Sequence, residues 1–585
     1  MFKKFLILIF IFIASMISTH FLVTTSNLII LFFVAGIITY CLTTVRNIRK
    51  FNFTVINFMS STVGVVLILF ALLTQEHLSD VQQFDFITIC ELVITILVLF
   101  FLFMVLFSFG TIDEKKDQVE LKKVWFIYAV LYGIVALLYF LAYYPGVLTV
   151  DSINQWSQSH SEYPWNNWHP IGHTFLIWLT SRIWNSPASF VLVQSIMYVY
   201  TFSYLSMTLQ EKSKKSYLSI IFFVITAVLP YYPLQSVVIL KDSLFTYAII
   251  LFGIYLFRIV DTKGVWLQKW YNFIFFFIAV TGILFWRNNG LPIIATMAIM
   301  SLIVFNIRTY WRLHVTLFVT LLLYIFVQGP VSQHFHVFKT SPTESYGMII
   351  QIDAGIIHEN GKMTPSQKQY FNSFMPSQTI ANYTPGNIDA VKFGPGFNSK
   401  ILSGNLNQFK RNSIELIKSN PQLAVRAYAD QTKVIWHQNA KLRPGTLFRD
   451  KFGDRIKSAY FLPTSTIKKY DIKYDDFNYS NYWNGSSLIY KQLKKMQNLF
   501  ETSSLHFWIM PAIYTMISFA IAFKLLLEWR WKSLFILLPL IGLTFTLFLA
   551  IPAPDIRYVQ VPLIYLFIAY LTIRHPFVNQ GSRLN

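Results

Sequence analysis

Apolar runs of about 20 residues recur toward both ends of this 585-residue chain, and each is long enough to cross roughly 30 Å of hydrocarbon. The chain is 55% hydrophobic and 13% charged, against about 25% charged in a typical soluble protein. These features predict an α-helical polytopic membrane protein. The two cysteines, Cys41 and Cys90, both fall inside apolar runs, so neither a structural disulfide nor a cysteine metal site is expected.

The hydrophobic pattern predicts about 14 membrane helices, near residues 4–23, 27–45, 53–74, 87–110, 124–143, 188–209, 217–237, 243–260, 266–286, 290–307, 315–331, 506–527, 533–552 and 557–573. The first has the basic start and apolar core of a signal peptide. It runs on past Ser15 without a small-residue cleavage pattern, so it is read as a helix. Basic clusters orient the set. Lys3-Lys4, Arg46 to Lys50, Lys115-Lys116 with Lys122-Lys123, Lys212 to Lys215, Arg308 to Arg312 and Arg530 to Lys532 are expected on the cytoplasmic side. The even count then puts both termini in the cytoplasm. Residues 170–185 are apolar but short and interrupted by polar groups, which suggests a re-entrant or interfacial helix; a true crossing would place Lys212 to Lys215 outside.

In this topology four polar tips face the outer surface: Asp151 with His169, Lys241-Asp242, Trp286 to Gly290, and Asp555 to Tyr558. The division expected is 1–123 for N-terminal membrane helices and 124–332 for a membrane core with a catalytic outer loop at 144–169. Residues 333–505 follow as an extracytoplasmic domain, then 506–585 as C-terminal helices and a cytoplasmic tail. Residues 333–505 carry 22 Lys and Arg against 12 Asp and Glu, a net +10. Long domains translocate largely regardless of charge, so this excess fits an outside location. SPTESYGMIIQIDAGIIH and FKRNSIELIKSNPQLAVRAYADQTKVIWH have helical apolar spacing, and Arg443-Pro444-Gly445 marks a turn. A mainly helical domain resting on the membrane face is expected.

Asp151 is the first candidate for chemistry. An ionised carboxylate near lipid is costly unless it faces water and has a task. It suits a general base for an acceptor, or a ligand for a divalent metal. Alternatively, Thr149-Val150-Asp151-Ser152 is a helix start and Asp151 its cap. His169 and His173 share a helix face, yet no acidic residue close in sequence completes a metal shell. His169 is better read as a hydrogen-bond partner at the helix mouth. Pro170 at the first helical position makes His169 or Trp168 the cap. Lys241 can pair with phosphate and Asp242 supply a second carboxylate, or the two are a cap and a snorkelling lysine. Arg287, beside Asn288 and Asn289, offers a planar fork for phosphate, or anchors at the interface. Arg557 has the same two readings, and Asp555–Arg557 can be a structural pair.

There is no Gly-rich phosphate loop or Walker pattern, which argues against an ATP-driven pump. The spans hold few charges, chiefly Glu91 and Arg182, and no acidic relay, which weakens an ion-coupled transporter. No nucleic-acid partner is expected.

PGVLTVDSINQW, NNWHP, LKDSLFTY, FWRNNG and DIRYVQVPL together resemble a group of bacterial multi-pass membrane proteins that is itself similar to the GT-C glycosyltransferase superfamily. The likeness covers about residues 124–573. It implies a GT-C-like fold and transfer of a sugar, with inversion, from a polyprenyl-phosphate donor at the outer face. It gives Asp151 the role of base or metal ligand, makes Asp242 the second acidic position, and makes Arg287 a contact to the donor phosphate. The first outer loop has one acidic residue at the key place rather than a pair, which puts metal dependence in doubt. No ATP site is required and no cofactor is certain; a divalent metal, at Asp151 if any, is the one candidate. The expected function is therefore a membrane glycosyltransferase acting on a cell-envelope polymer or glycolipid acceptor, with His169, Lys241, Arg287, Asn288 and Arg557 binding substrate. One rival is a transporter or flippase of a lipid-linked envelope intermediate. Another is a membrane scaffold whose outer domain binds a partner.

Overall fold

The computed structural model describes residues 54–73, 86–108, 120–161, 163–213, 217–339, 342–438, 440, 456–457, 476–477, 488–502 and 507–575. The expected helices at 4–23 and 27–45, Cys41, the turn at Arg443 to Gly445 and the extreme termini lie outside these residues.

Seven helices are long and apolar enough to cross a membrane: Val55–Leu72, Leu121–Ala142, Pro187–Lys212, Lys241–Asp261, Trp311–His334, Trp531–Ala550 and Ile556–Arg574. Shorter apolar helices stand at Thr95–Ser108, Tyr217–Val228, Trp270–Trp286, Gly290–Val304 and Ala512–Leu527. The described chain therefore shows seven full-length candidates where the hydrophobic pattern predicted more. Part of the difference is local chemistry. The run at 217–237 is not one helix: it stops at Val228, and a separate short turn, Tyr231–Gln235, follows Pro230. Proline lacks the N–H that a continuing helix needs. The segment 170–185 forms a helix of 13 residues, Ile171–Ile183, about 20 Å at 1.5 Å per residue. Its N-cap is Pro170 rather than His169 or Trp168.

The elements that position the site are α1 (Leu121–Ala142), β1 (Val147–Leu148), α2 (Val150–Ser159), α3 (Ile171–Ile183), α4 (Pro187–Lys212), β2 (Val238–Ile239), α5 (Lys241–Asp261), α6 (Trp270–Trp286) and α7 (Gly290–Val304). They are followed by α8 (Trp311–Phe326), α9 (Gly347–His358), α10 (Leu406–Ser419), α11 (Pro421–Trp436), α12 (Ala512–Leu527), α13 (Trp531–Ala550) and α14 (Val561–Arg574). α5 is the axis of the bundle. Every residue from Asp242 to Val260 is buried, as expected for a helix that is apolar all round. It packs on α4, α6, α13 and α14. Gly253 allows the close approach to α14: a Cβ there would lie 2.6 Å from the Tyr565 hydroxyl. Charge is confined to the ends of α5, with Lys241 and Asp242 at one end and Arg258 and Asp261 at the other.

α1 has two faces. Tyr128, Tyr132, Ala136 and Tyr139 are buried, while Phe126, Ile127, Ile134 and Leu137 are exposed. Two of the buried tyrosines bond inward, Tyr128 to Ser219 Oγ at 2.9 Å and Tyr132 with Thr226 Oγ1 at 2.5 Å. An apolar face turned outward with the polar groups turned inward is what a lipid-facing helix requires.

A second core lies in the 347–436 segment, with Ile350, Ile356, Phe371, Phe374, Phe409 and Leu416 at its centre. The long helical pattern from Phe409 to His437 is divided at Asn420-Pro421 into α10 and α11. α11 leans on α12 and α13. Its Tyr428 donates to Phe548 O at 3.0 Å and its Gln431 to Ile551 O at 2.8 Å. These bonds fasten the turn that carries Asp555 and Arg557.

Candidate functional site

Two short strands build the floor of the site. β1 and β2 pair in parallel, Val147 with Val238 and Leu148 with Ile239. In that register VLTVDS (147–152) and VILKDS (238–243) correspond position by position. Each strand runs directly into a helix, with Thr149 the N-cap of α2 and Leu240 the N-cap of α5. Asp151 and Asp242 are thus both second helical residues, where a carboxylate is favoured by the helix dipole. Thr149, not Asp151, caps α2: its N–H donates to Ser152 Oγ at 2.6 Å. The Asp151 carboxylate is left to other partners.

Those partners are cations from the other tips. Lys241 Nζ lies 3.3 Å from Asp151 Oδ2, and Arg557 Nη1 lies 3.4 Å from the same oxygen. Lys241 also meets His169 Nδ1 at 2.8 Å. An ammonium only donates, so Nδ1 accepts and the imidazole is the neutral Nε2–H form. Asp242 is fully buried and pairs with Arg287 Nη1 at 2.8 Å, with Arg557 Nε at 4.0 Å. Asp555 accepts from the Arg557 backbone N–H at 3.1 Å and lies 3.5 Å from Arg557 Nε. The Arg287 and Arg557 guanidinium carbons sit 4.5 and 4.7 Å from the Tyr558 ring centroid, within cation–π range.

Arg287 is the residue that ends α6. The chain then turns at once into α7, and a Cβ on Gly290 would lie 1.8 Å from Ile283 O. Only glycine fits that turn, and the turn aims Arg287 inward. Asn288 is exposed on it, and Asn289 donates to Thr546 Oγ1 at 3.0 Å.

The structure therefore brings together Asp151, His169, Lys241, Asp242, Arg287 and Arg557. Asn288 stands apart at the surface. His173, one turn beyond His169, bonds Gln155 Oε1 at 3.0 Å. Lys241 does not snorkel; it points into the cluster. Three carboxylates (Asp151, Asp242, Asp555) balance three cations (Lys241, Arg287, Arg557). Asp151 is the most open of the six, with 23% of its side chain accessible. Burial alone would raise its carboxyl, but the Lys241 ammonium and the Arg557 guanidinium outweigh that and hold it well below the usual carboxylate range. Burial, reinforced by Lys241, holds the His169 imidazole well below its usual value. Asp151, the expected ligand for any metal, faces cations rather than further carboxylates. Among the described residues no three His, Cys, Asp or Glu side chains gather as a metal shell.

Next to the charges lies an apolar cavity of about 790 Å³ between α3, α6 and α8. Its wall includes Trp286, the neighbour of Arg287, and Ile171, two residues beyond His169. Phe175, Ile278 and Phe335 of its lining are exposed. The sequence pattern did not reveal this cavity, because its walls come from separate helices whose apolar faces look alike.

Fold and site together define an α-helical protein whose long apolar helices fit a membrane, with a compact charged cluster at one end of the central helix. The chain belongs to the DUF6020 family, a family of unknown function, whose profile matches residues 178–575. The match takes in Lys241, Asp242, Arg287 and Arg557, while Asp151 and His169 precede it. No curated protein and no solved structure matches the chain.

Proposed function

We propose that this protein is a membrane glycosyltransferase of GT-C type, moving a sugar from a polyprenyl-phosphate donor to a cell-envelope acceptor at the outer face of the membrane. The observation that carries the proposal is the charged cluster beside the apolar cavity. A lipid phosphate needs cations for its head and an apolar channel for its tail, and Arg287 and Trp286 supply the two in adjacent residues. On this reading the Asp151 end of the bundle faces outward, residues 333–505 lie outside and both termini lie in the cytoplasm.

The roles follow from position. Arg557 and Lys241 share one oxygen of Asp151 and are the most open cations. An arriving donor phosphate competes for them, which frees Asp151. The Asp151 carboxylate then takes the proton of the acceptor hydroxyl. The acceptor oxygen bonds the anomeric carbon as the bond from that carbon to the phosphate oxygen breaks. The leaving phosphate keeps the electron pair and is stabilised by Arg557, Lys241 and Arg287. Asp242, sealed from solvent, holds the two arginines in place instead of meeting substrate. The sugar–phosphate bond supplies the driving energy.

The test is transfer by the purified protein, using a panel of polyprenyl-phosphate sugars and envelope acceptors, with wild type beside Asp151→Asn. Transfer by wild type and its loss in the folded variant support the proposal. The cavity and cations also suit a flippase of a lipid-linked intermediate, which needs no base. Lipid translocation in liposomes that survives Asp151→Asn, with no transfer in the panel, selects that alternative.

A further inference from the structure

Asp151 is not the only accessible carboxylate at this end of the molecule. The loop ahead of α3 is sewn to the start of the 333–436 segment: Asn167 N donates to Phe338 O at 3.0 Å, and Phe338 N donates to Trp165 O at 2.8 Å. A few residues on, the 3-10 turn Pro342–Tyr346 presents Glu344. Its Oε2 pairs with Lys392 Nζ at 2.5 Å, and 31% of its side chain is accessible. The same ammonium lies 5.3 Å from the Trp168 ring centroid and 5.6 Å from that of Phe393. Trp168 immediately precedes His169, which meets Lys241 at 2.8 Å. A continuous set of groups thus runs from Asp151 through Lys241, His169 and Trp168 to Lys392 and Glu344.

The two ends of this set differ in chemistry. Around Asp151 the partners are two cations suited to phosphate, Lys241 and Arg557. At the Glu344 end one lysine, Lys392, carries the contacts: it pairs with Glu344, lies 3.9 Å from Asp389 Oδ1 and sits over the Trp168 and Phe393 rings. A carboxylate that accepts hydroxyl hydrogen bonds, beside rings that offer an apolar face, is how a protein holds a sugar or polyol. Asp242 and Asp555 are sealed, with 0% and 3% of their side chains accessible. Asp151 and Glu344 are open to a ligand, as is Asp389 beside Glu344, with 59% of its side chain accessible; Glu344 is the one of these two that Lys392 holds in a close pair.

We propose that Glu344, Lys392 and the Trp168 ring form the acceptor subsite, and that it takes a hydroxyl-rich end, a sugar or polyol, with Glu344 accepting its hydrogen bond. The proposal rests on the transferase reading for its name, but the binding it asserts is measurable without transfer. Burial, with the neighbouring Asp389 carboxylate, keeps the Glu344 carboxyl above its usual range despite Lys392 and the more distant Lys241. Ligand binding to the carboxylate is therefore expected to weaken as pH falls through that raised value.

The experiment is saturation-transfer NMR on the full-length protein in nanodiscs, with chitobiose, cellobiose and a glycerol-phosphate trimer as probes. Wild type is expected to show a signal for at least one probe, and Glu344→Gln to weaken that affinity about tenfold. Trp168→Ala is the second variant, with the same expectation, should Glu344→Gln lower the melting temperature. In a transfer assay the KM for acceptor rises with the KM for donor unchanged, which a structural lesion would not produce. Unchanged affinity in both variants overturns the subsite, as does the absence of signal from all three probes in wild type. Binding that behaves as expected without any transfer keeps the subsite and removes the transferase reading.

Discussion

Two cations share one oxygen of Asp151, and that sharing decides what the residue can do. In the resting cluster its carboxyl is held well below the usual range, so it is a weak base until Lys241 and Arg557 are drawn away. General-base catalysis contributes roughly 10²–10⁴-fold, so Asp151→Asn should lower kcat for transfer by at least about 10²-fold while the melt stays cooperative. Loss of the fold instead of the rate would show that the charge balance is its main role. The same shift predicts a pH dependence. A depressed acid stabilises the folded state above its unfolded value of 3.8, and that stabilisation is lost as pH falls through the lower folded value. The cluster should therefore keep its stability across neutral and mildly acidic pH and lose it only in strong acid. Melting curves of wild type and Asp151→Asn that converge already near pH 6 would contradict this.

At the scale of elements, the sequence pattern found the tips but not their meeting. Lys241, Arg287 and Arg557 each stand out as polar residues at a helix end. What brings them together is the β1–β2 register and the turn at Gly290, neither of which hydrophobicity reports. One signal was present: VLTVDS and VILKDS repeat the same strand-to-helix step, and the structure pairs them in that register. Glu344 carried no such signal, because a lone acid in a long polar insertion looks like surface. Asn288 follows Arg287 in sequence but is exposed on the turn that buries Arg287, because adjacency in sequence does not fix which way a turn points. Gly290→Ala should therefore be costly. The added carbon meets a backbone carbonyl rather than a flexible side chain, and overpacking of this kind costs about 1–3 kcal/mol. A lower melting temperature with weakened phosphate binding is expected; an unchanged protein would mean the turn relaxes freely. A second element-scale prediction concerns α9. Asp353 is buried there, and burial pushes its carboxyl up to about 8, even though Ser413 donates to it at 2.6 Å. Between about pH 4 and 8 the folded state keeps a proton that the unfolded state has lost. Stability falls with rising pH across that window, by up to about 1.4 kcal/mol per unit. Asp353→Asn should remove that slope, as read by thermal melts across the window; a slope that persists would place the titration elsewhere.

On the scale of the whole molecule, one helix links the cavity to the charges. α6 carries Thr281 in the cavity wall and ends at Arg287 in the cluster, six residues or about 9 Å along the axis. On the proposed function a single lipid phosphate would occupy both, with its head at Arg287 and its tail along Thr281 and Ile278. Phe175, Ile278 and Phe335 of the lining are exposed, so the cavity opens on an apolar surface. Thr281→Trp fills this space without touching the cluster. Each buried methylene is worth about 0.8 kcal/mol, and about 1.4 kcal/mol is tenfold in affinity. Displacing two or three methylenes of the tail should weaken polyprenyl-phosphate binding tenfold or more. Inorganic phosphate, which has no tail, should bind as in wild type. Titration of both ligands into wild type and Thr281→Trp separates the contributions. Equal weakening of both would mean the substitution disturbs the cluster itself. Unchanged binding of the polyprenyl phosphate would mean that the tail lies elsewhere and that the cavity is packing space between α3, α6 and α8.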